Sequence, residues 1–157
     1  VVDGFAFATC TVGGTDATDT VCTLLDDLGR EDVRYVLVSG IAPAWFNVLD
    51  LHRIADHTDR PVLSVTYEES EGLEPALREQ FDGDALEQRL STYRDQPDRQ
   101  RVHVDAELLF VRAVGVDDGE AATVVDSFTP EGGRPEPLRV ARLAARGADG
   151  FRRGSVD

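Results

Sequence analysis

LVSGIAPAWFNVLDL, residues 37–51, decides the fold: an apolar stretch breaks off at Ser39-Gly40, and the loop that follows carries Trp45, the only tryptophan of the chain. Val33 to Val38, which leads into it, is short and nearly continuously apolar, the pattern of a strand covered on both faces. In an open α/β sheet, ligands usually sit in the crevice just past the carboxyl end of such a strand. Gly40, Trp45, Phe46 and Asn47 are therefore candidate ligand contacts. The alternative is that Trp45 and Phe46 simply pack the loop onto the core.

Working outward, helices and strands alternate. Upstream, Val21, Leu24, Leu25 and Leu28 recur at helical spacing after the turn-like Gly13-Gly14-Thr15-Asp16, which predicts a helix from Ala17 to Leu28 stopped by Gly29. Val1 to Val12 reads as a strand. Downstream, Leu51, Ile54 and Ala55 mark a helix, Val62 to Tyr67 a second strand, and Leu73 to Arg94 a polar helical stretch broken near Asp82-Gly83-Asp84. Leu108 to Val114 is a further strand, and Ala121, Val124, Val125 and Phe128 share one helix face. A last helix is expected to start at Pro135, a good first-turn residue, and to run to about Arg146. The expected organisation is one α/β domain with a mixed sheet over residues 1–147, followed by a tail, 148–157.

All 16 basic residues are arginine, set against 30 acidic ones, for a net charge of -14. Such a surface stays soluble through hydration and self-repulsion and is at ease at high ionic strength, where the repulsion is screened; it reads as a cytoplasmic protein adapted to salt. There is no apolar run long enough to span a membrane. The two cysteines, Cys10 and Cys22, are too few for a disulfide scaffold or a zinc site and read as small buried hydrophobes. The chain lacks methionine and begins Val1-Val2-Asp3, so residues are expected to precede Val1, with the break inside a sheet.

Three constellations could carry chemistry. Tyr67-Glu68-Glu69-Ser70-Glu71, just beyond a predicted strand, could hold a hard cation such as Mg²⁺ or be an acidic helix start favoured by the macrodipole. Asp50, His52, Asp56, His57 and Asp59 form a second group, in which His52 and Asp56 share a helix face, as metal ligands or as an ordinary charged pair. The third is C-terminal. From Gly132 to Arg153 there are six arginines and two acids, a local balance of +4, with Arg139, Arg142 and Arg146 in one helix stripe. That stripe suits local phosphate binding, or arginines that pair with nearby carboxylates and shield the core with their stems.

The segments VSGIAPAWFNVLDL (38–51), HTDRPVLSVTYEESEGL (57–73), FVRAVGVDDGEA (110–121) and GRPEPLRVARLAA (133–145) together resemble the archaeal endonuclease dU family, itself similar to endonuclease V. The resemblance implies a ribonuclease H-like mixed sheet flanked by helices, with a first strand that precedes Val1. It also implies a nuclease dependent on Mg²⁺ or Mn²⁺ and acting on DNA that carries a deaminated base, uracil in particular. In endonuclease V the strand matching Val33–Val38 ends in Asp-Gly, where this chain has Ser39-Gly40; a lysine stands where this chain has Tyr67, and a histidine where it has Val116. Asp16 is the best match to the family's acidic residue ahead of the first helix, and so the candidate catalytic and metal-binding residue. Its other reading is an N-cap. The resemblance puts a further aspartate on the strand before Val1, so this chain alone is expected to be catalytically incompetent. A nucleic-acid-binding relative without chemistry, or a small-molecule-binding protein using a pocket around Gly40, Trp45 and Glu68, are the alternatives.

Overall fold

The computed structural model describes residues 1–154. Eleven elements follow in the order α1 (Ala17–Leu28), β1 (Val36–Ser39), α2 (Pro43–Phe46), α3 (Leu51–Thr58), β2 (Val62–Thr66), α4 (Glu74–Gln80), α5 (Gly83–Arg94), β3 (Gln100–Val104), β4 (Glu107–Val114), α6 (Asp118–Ser127) and α7 (Glu136–Arg153). They build an α/β fold around a four-stranded mixed sheet in the order β1-β2-β4-β3. β1 runs parallel to β2, whereas β4 is antiparallel to both of its neighbours.

β2 sits inside the sheet and is buried on both faces, which is why Val62, Leu63 and Val65 are apolar whichever face they take. Leu63 and Val65 face one layer with Val111, Val124, Val125 and Leu138, packed under α6 and the start of α7. Val62 faces the other with Val36, Ile54, Leu51 and Cys22, under α1 and α3. On this second face, however, β2 continues with Ser64 and Thr66, and the apolar filling gives way to a cavity.

Three expectations change. Val1–Val12 forms no strand: no described strand pairs with it, and Val1, Val2, Phe5, Phe7 and Val12 are exposed. Cys10 within it is half-buried, while Cys22 is buried as expected. β3 is an addition, an edge strand whose alternation is confined to Val102 and Val104 inward and Arg101 and His103 outward; a two-residue turn joins it to β4. Finally, α7 continues through Arg153 instead of ending near Arg146, so the tail expected from residue 148 is helical to Arg153, and its residues 155–157 lie outside the described residues. No described helix is long and apolar enough to cross a membrane.

Candidate functional site

β1 ends at Ser39, and Gly40 takes φ +81° while its N–H still donates to Val65 O on β2. That left-handed backbone suits glycine, and it turns the chain away from the sheet so that the ends of β1 and β2 are left uncovered. Two adjoining cavities open there, of about 230 and 330 Å³. Both are lined by Ser39, Gly40, Thr66, Ser70 and Arg99. The first adds Ser64, Tyr93, Phe110 and Arg112 on the α3 side; the second adds Tyr67, Glu68 and Arg134 on the α7 side. The only carboxylate in either lining is that of Glu68.

The arginines are held by rings and carbonyls. Arg99 lies over Phe110 at 4.7 Å and donates to Glu68 O and Ser70 O at 3.3 and 2.7 Å. Arg112 lies over Tyr93 at 5.2 Å and donates to Pro97 O and to Tyr93 Oη. Arg134 lies over Tyr67 at 4.1 Å. Among the described residues none of the three pairs with a carboxylate. The Tyr67 hydroxyl is buried without a hydrogen-bond partner among the described residues. Burial pushes its phenol up, against the opposing pull of Arg134 and Arg142.

Beyond the cavity wall formed by Ile41 and Ala42, α2 is a single turn of the wrong hand. Ala44, Trp45 and Phe46 have φ of +49°, +56° and +60°, a conformation that costs each L-residue about 1–2 kcal/mol. The turn is closed by its own bond, from Asn47 N–H to Pro43 O at 3.2 Å, and clamped from outside by Gly13 N–H, which donates to Ala44 O at 2.7 Å. Gly13 lies so close to the indole that a Cβ there would meet Trp45 Cε3 at 2.8 Å. Trp45 packs edge-on to Phe46 and tilted on Phe81, with ring centres 5.3 and 5.5 Å away, yet stays 51% exposed.

Asn47, expected at the ligand edge, is instead 0% exposed. Its Oδ1 accepts from Ala17 N–H at 2.9 Å, and its Nδ2 donates to Thr11 O and to Asp16 Oδ1 at 2.9 and 2.7 Å. It caps α1 from far along the chain and positions the left-handed turn. Asp16 stands at the N-cap position but makes no side-chain cap bond. Its carboxylate folds back to accept from Thr11 N–H, Thr11 Oγ1 and Asn47 Nδ2, and these bonds, Asn47's first, lower its pKa from 3.8 to about 2. Asp16 lines neither cavity.

The other candidates disperse. On α3, His52 Nε2 lies 3.0 Å from Asp95 O, whereas His57 Nε2 lies 3.0 Å from both carboxylate oxygens of Asp26; Asp50 caps the helix by accepting from Arg53 N–H. The acidic segment 67–71 is not a helix start, since α4 begins at Glu74, and Glu69 pairs with Arg101. Along α7, Arg139 is engaged by both oxygens of Glu136, and Arg152 and Arg153 share Asp149. Arg142 and Arg146 stay exposed. Among the described residues no group of three or more His, Cys, Asp or Glu comes together to hold a cation, so these side chains do not by themselves fit Mg²⁺ or Mn²⁺.

Comparison with known proteins reports on the same span. The profile of the family described as endonuclease dU matches residues 1–148. A UPF0215 protein of Thermococcus kodakarensis is 36% identical over 137 residues, 86% of this chain and 68% of that protein. One of Pyrobaculum aerophilum is 32% identical over 153 residues, 96% of this chain and 81% of that protein. Among solved structures, a protein of unknown function from Archaeoglobus fulgidus DSM 4304 superposes with a TM-score of 0.74 at 24% identity, over 87% of this chain and 77% of that one. It has the same fold.

Proposed function

The chain belongs to the endonuclease dU family, and on that premise we propose a nuclease-like role in DNA repair: engagement of DNA at a deaminated base, uracil in particular, by a ribonuclease H-like core in a cytoplasm rich in salt. The observation that carries the reading is the turn at Ala44-Trp45-Phe46. Backbone strain of this kind survives only where its surroundings over-determine it, and it clusters where function needs it. Here the clamps from Gly13 and Asn47 hold an indole half out of the surface, next to the cavities at the ends of β1 and β2. A planar apolar group so held suits stacking on an unpaired base.

Mg²⁺ or Mn²⁺ belongs to the proposal as the agent that would polarise the phosphodiester and activate water. Asp16 is the residue assigned to it by resemblance, and its hydrogen bonds to Thr11 and Asn47 would have to yield to a cation. What the chain's own residues do is bind and orient: Trp45 and Phe46 on the base side, with Arg142 and Arg146 as exposed cations of α7. A second reading, a DNA-binding relative without chemistry, is favoured by Ser39, whose neutral hydroxyl cannot balance a cation as a carboxylate does.

The test uses the single tryptophan. Titration with single-stranded and duplex DNA containing uracil, with Mg²⁺ or Mn²⁺ at graded salt, is expected to quench Trp45 emission in this chain, and the full-length protein under the same conditions is expected to yield nicks. Quenching without nicks at any salt concentration supports the second reading. Neither quenching nor nicks removes both.

A further inference from the structure

We propose that the adjoining cavities at the ends of β1 and β2 bind a phosphate group around Arg99, which lines both, with Arg112 on one side and Arg134 on the other and with no divalent cation needed. The proposal deepens the DNA reading by naming the group bound, and rests on it only for the source of that phosphate.

The charge pattern carries the argument. In a chain of net charge -14, the charged side chains that line these cavities are three arginines and Glu68. Eight other arginines, among them Arg30, Arg53, Arg94 and Arg139, are paired with carboxylates. The cavity arginines are instead fixed by aromatic faces and, for Arg99 and Arg112, by neutral carbonyl and hydroxyl oxygens. Stacking sets the plane of a guanidinium and leaves its edge free, and neutral acceptors leave its charge uncompensated. Arg99 and Arg112 each spend two nitrogens on such bonds, out of five N–H donors per guanidinium.

A structural role alone looks different in this same protein. Arg60 spends its guanidinium on the carbonyls of Val33, Thr58, Asp59 and Glu31. Arg89, likewise stacked on a ring and bonded to the carbonyls of Ala85, Gly13 and Gly14, differs by its burial: it is 6% exposed and lines neither cavity. In the cavities, hydroxyls of Ser39, Ser64 and Thr66 stand among the arginines. A tetrahedral dianion takes donors from several directions at once, and guanidinium forks match its oxygens. A carboxylate, planar and singly charged, would leave most of these donors idle.

The test is calorimetric titration of the whole chain in EDTA with inorganic phosphate, with deoxyuridine monophosphate, and with a single-stranded oligonucleotide carrying or lacking a 5′-phosphate. Saturable, cation-independent binding is expected, weakened at least tenfold by Arg134→Gln and by Arg99→Gln. Arg139→Gln, whose partner is Glu136, is the control and is expected to bind as the parent does. Arg134 is exposed, so its variant keeps the fold; circular dichroism checks this for both. Binding of phosphate and nucleotide but not of the oligonucleotide supports the site with a free metabolite as its source, and preference for the phosphorylated oligonucleotide supports it with a nucleic-acid end. Absence of saturable binding, binding that needs Mg²⁺, or affinity unchanged in Arg134→Gln overturns it. Cation-independent phosphate binding in a protein that neither binds nor nicks DNA removes the DNA reading and leaves this one. Nicking of DNA by a protein that shows no saturable phosphate binding does the reverse.

Discussion

Ser64 on β2 and Arg112 on β4 are register partners, a hydroxyl and a guanidinium side by side on a sheet face that is otherwise apolar at Val36, Val62 and Val114. Both strands are committed to the core, so a charge in mid-strand must find partners for the guanidinium. It finds them in Pro97 O and Tyr93 Oη. Arg112→Met, which keeps the stem and removes the donors, is expected to destabilise the fold by about 1–3 kcal/mol by leaving those acceptors unpaired. Ser64→Val, at a buried β-strand position, is expected to change stability by less than about 1 kcal/mol. Urea denaturation of both variants checks the contrast, and equal losses would remove the distinction.

Asn47 is the joint between the N-terminal loop, α1 and the left-handed turn. Asn47→Ala strips a partner from Ala17 N–H, Thr11 O and Asp16 at once, and is expected to cost about 3 kcal/mol. Because the turn loses its clamp, the emission of Trp45 in the folded variant is expected to shift to the red. A variant as stable as the parent, with unchanged emission, would show that the joint does not hold the turn.

Asp16 links that joint to pH. Its carboxyl is held at about 2, against an ordinary 3.8, by bonds from Asn47 and Thr11. A depressed folded value means that the charged form favours the native state. Its contribution is therefore complete above about pH 3.8 and is lost as the pH falls through about 2. Asp32 falls to about 2 through Arg30, and Glu74 and Glu136 are lowered by Arg94 and Arg139, so acid unfolding alone does not isolate Asp16. Comparison with Asp16→Asn does: the variant is expected to be less stable at pH 6 and to converge with the parent near pH 2. A constant gap across that range would count against the assignment.

The helix from Ala17 to Leu28, the break between α4 and α5, and the strands at β1, β2 and β4 are legible because their apolar residues cluster or recur at regular spacing, and a glycine marks each stop except that of β2. β3 was not, since an edge strand needs only Val102 and Val104 on its inner side and is polar otherwise. Val1–Val12 misled because its alternation has no described neighbour to pair with. At the site, Gly40 and Trp45 could be read from their place after a strand. Asn47 could not, because nothing local reveals that its amide reaches back to Thr11 and Asp16. The cavity arginines come from three separate stretches; the single available signal was Arg112, a charge inside the apolar strand Leu108–Val114. The C-terminal stripe drew attention instead, though Arg139 turns out to be balanced by Glu136.

The net charge makes salt the sharpest discriminator between the two halves of the DNA reading. At low ionic strength a chain of charge -14 repels a polyanion over roughly 10 Å, and at 1 M salt the screening length falls to about 3 Å. High salt thus relieves the long-range repulsion, but it also removes the gain from counterion release that a single exposed arginine provides. Stacking on Trp45 is not electrostatic and persists, at about 1–3 kcal/mol per base. In 1–2 M salt, Trp45→Ala is therefore expected to weaken binding of a uracil-containing single strand roughly five- to hundredfold. Arg142→Gln is expected to weaken it less, by a factor that shrinks further as salt is raised. Fluorescence anisotropy with labelled DNA across a salt series measures both. If loss of Trp45 does no more damage than loss of Arg142 at the high end, the indole is a packing residue of the turn and the DNA must be held elsewhere.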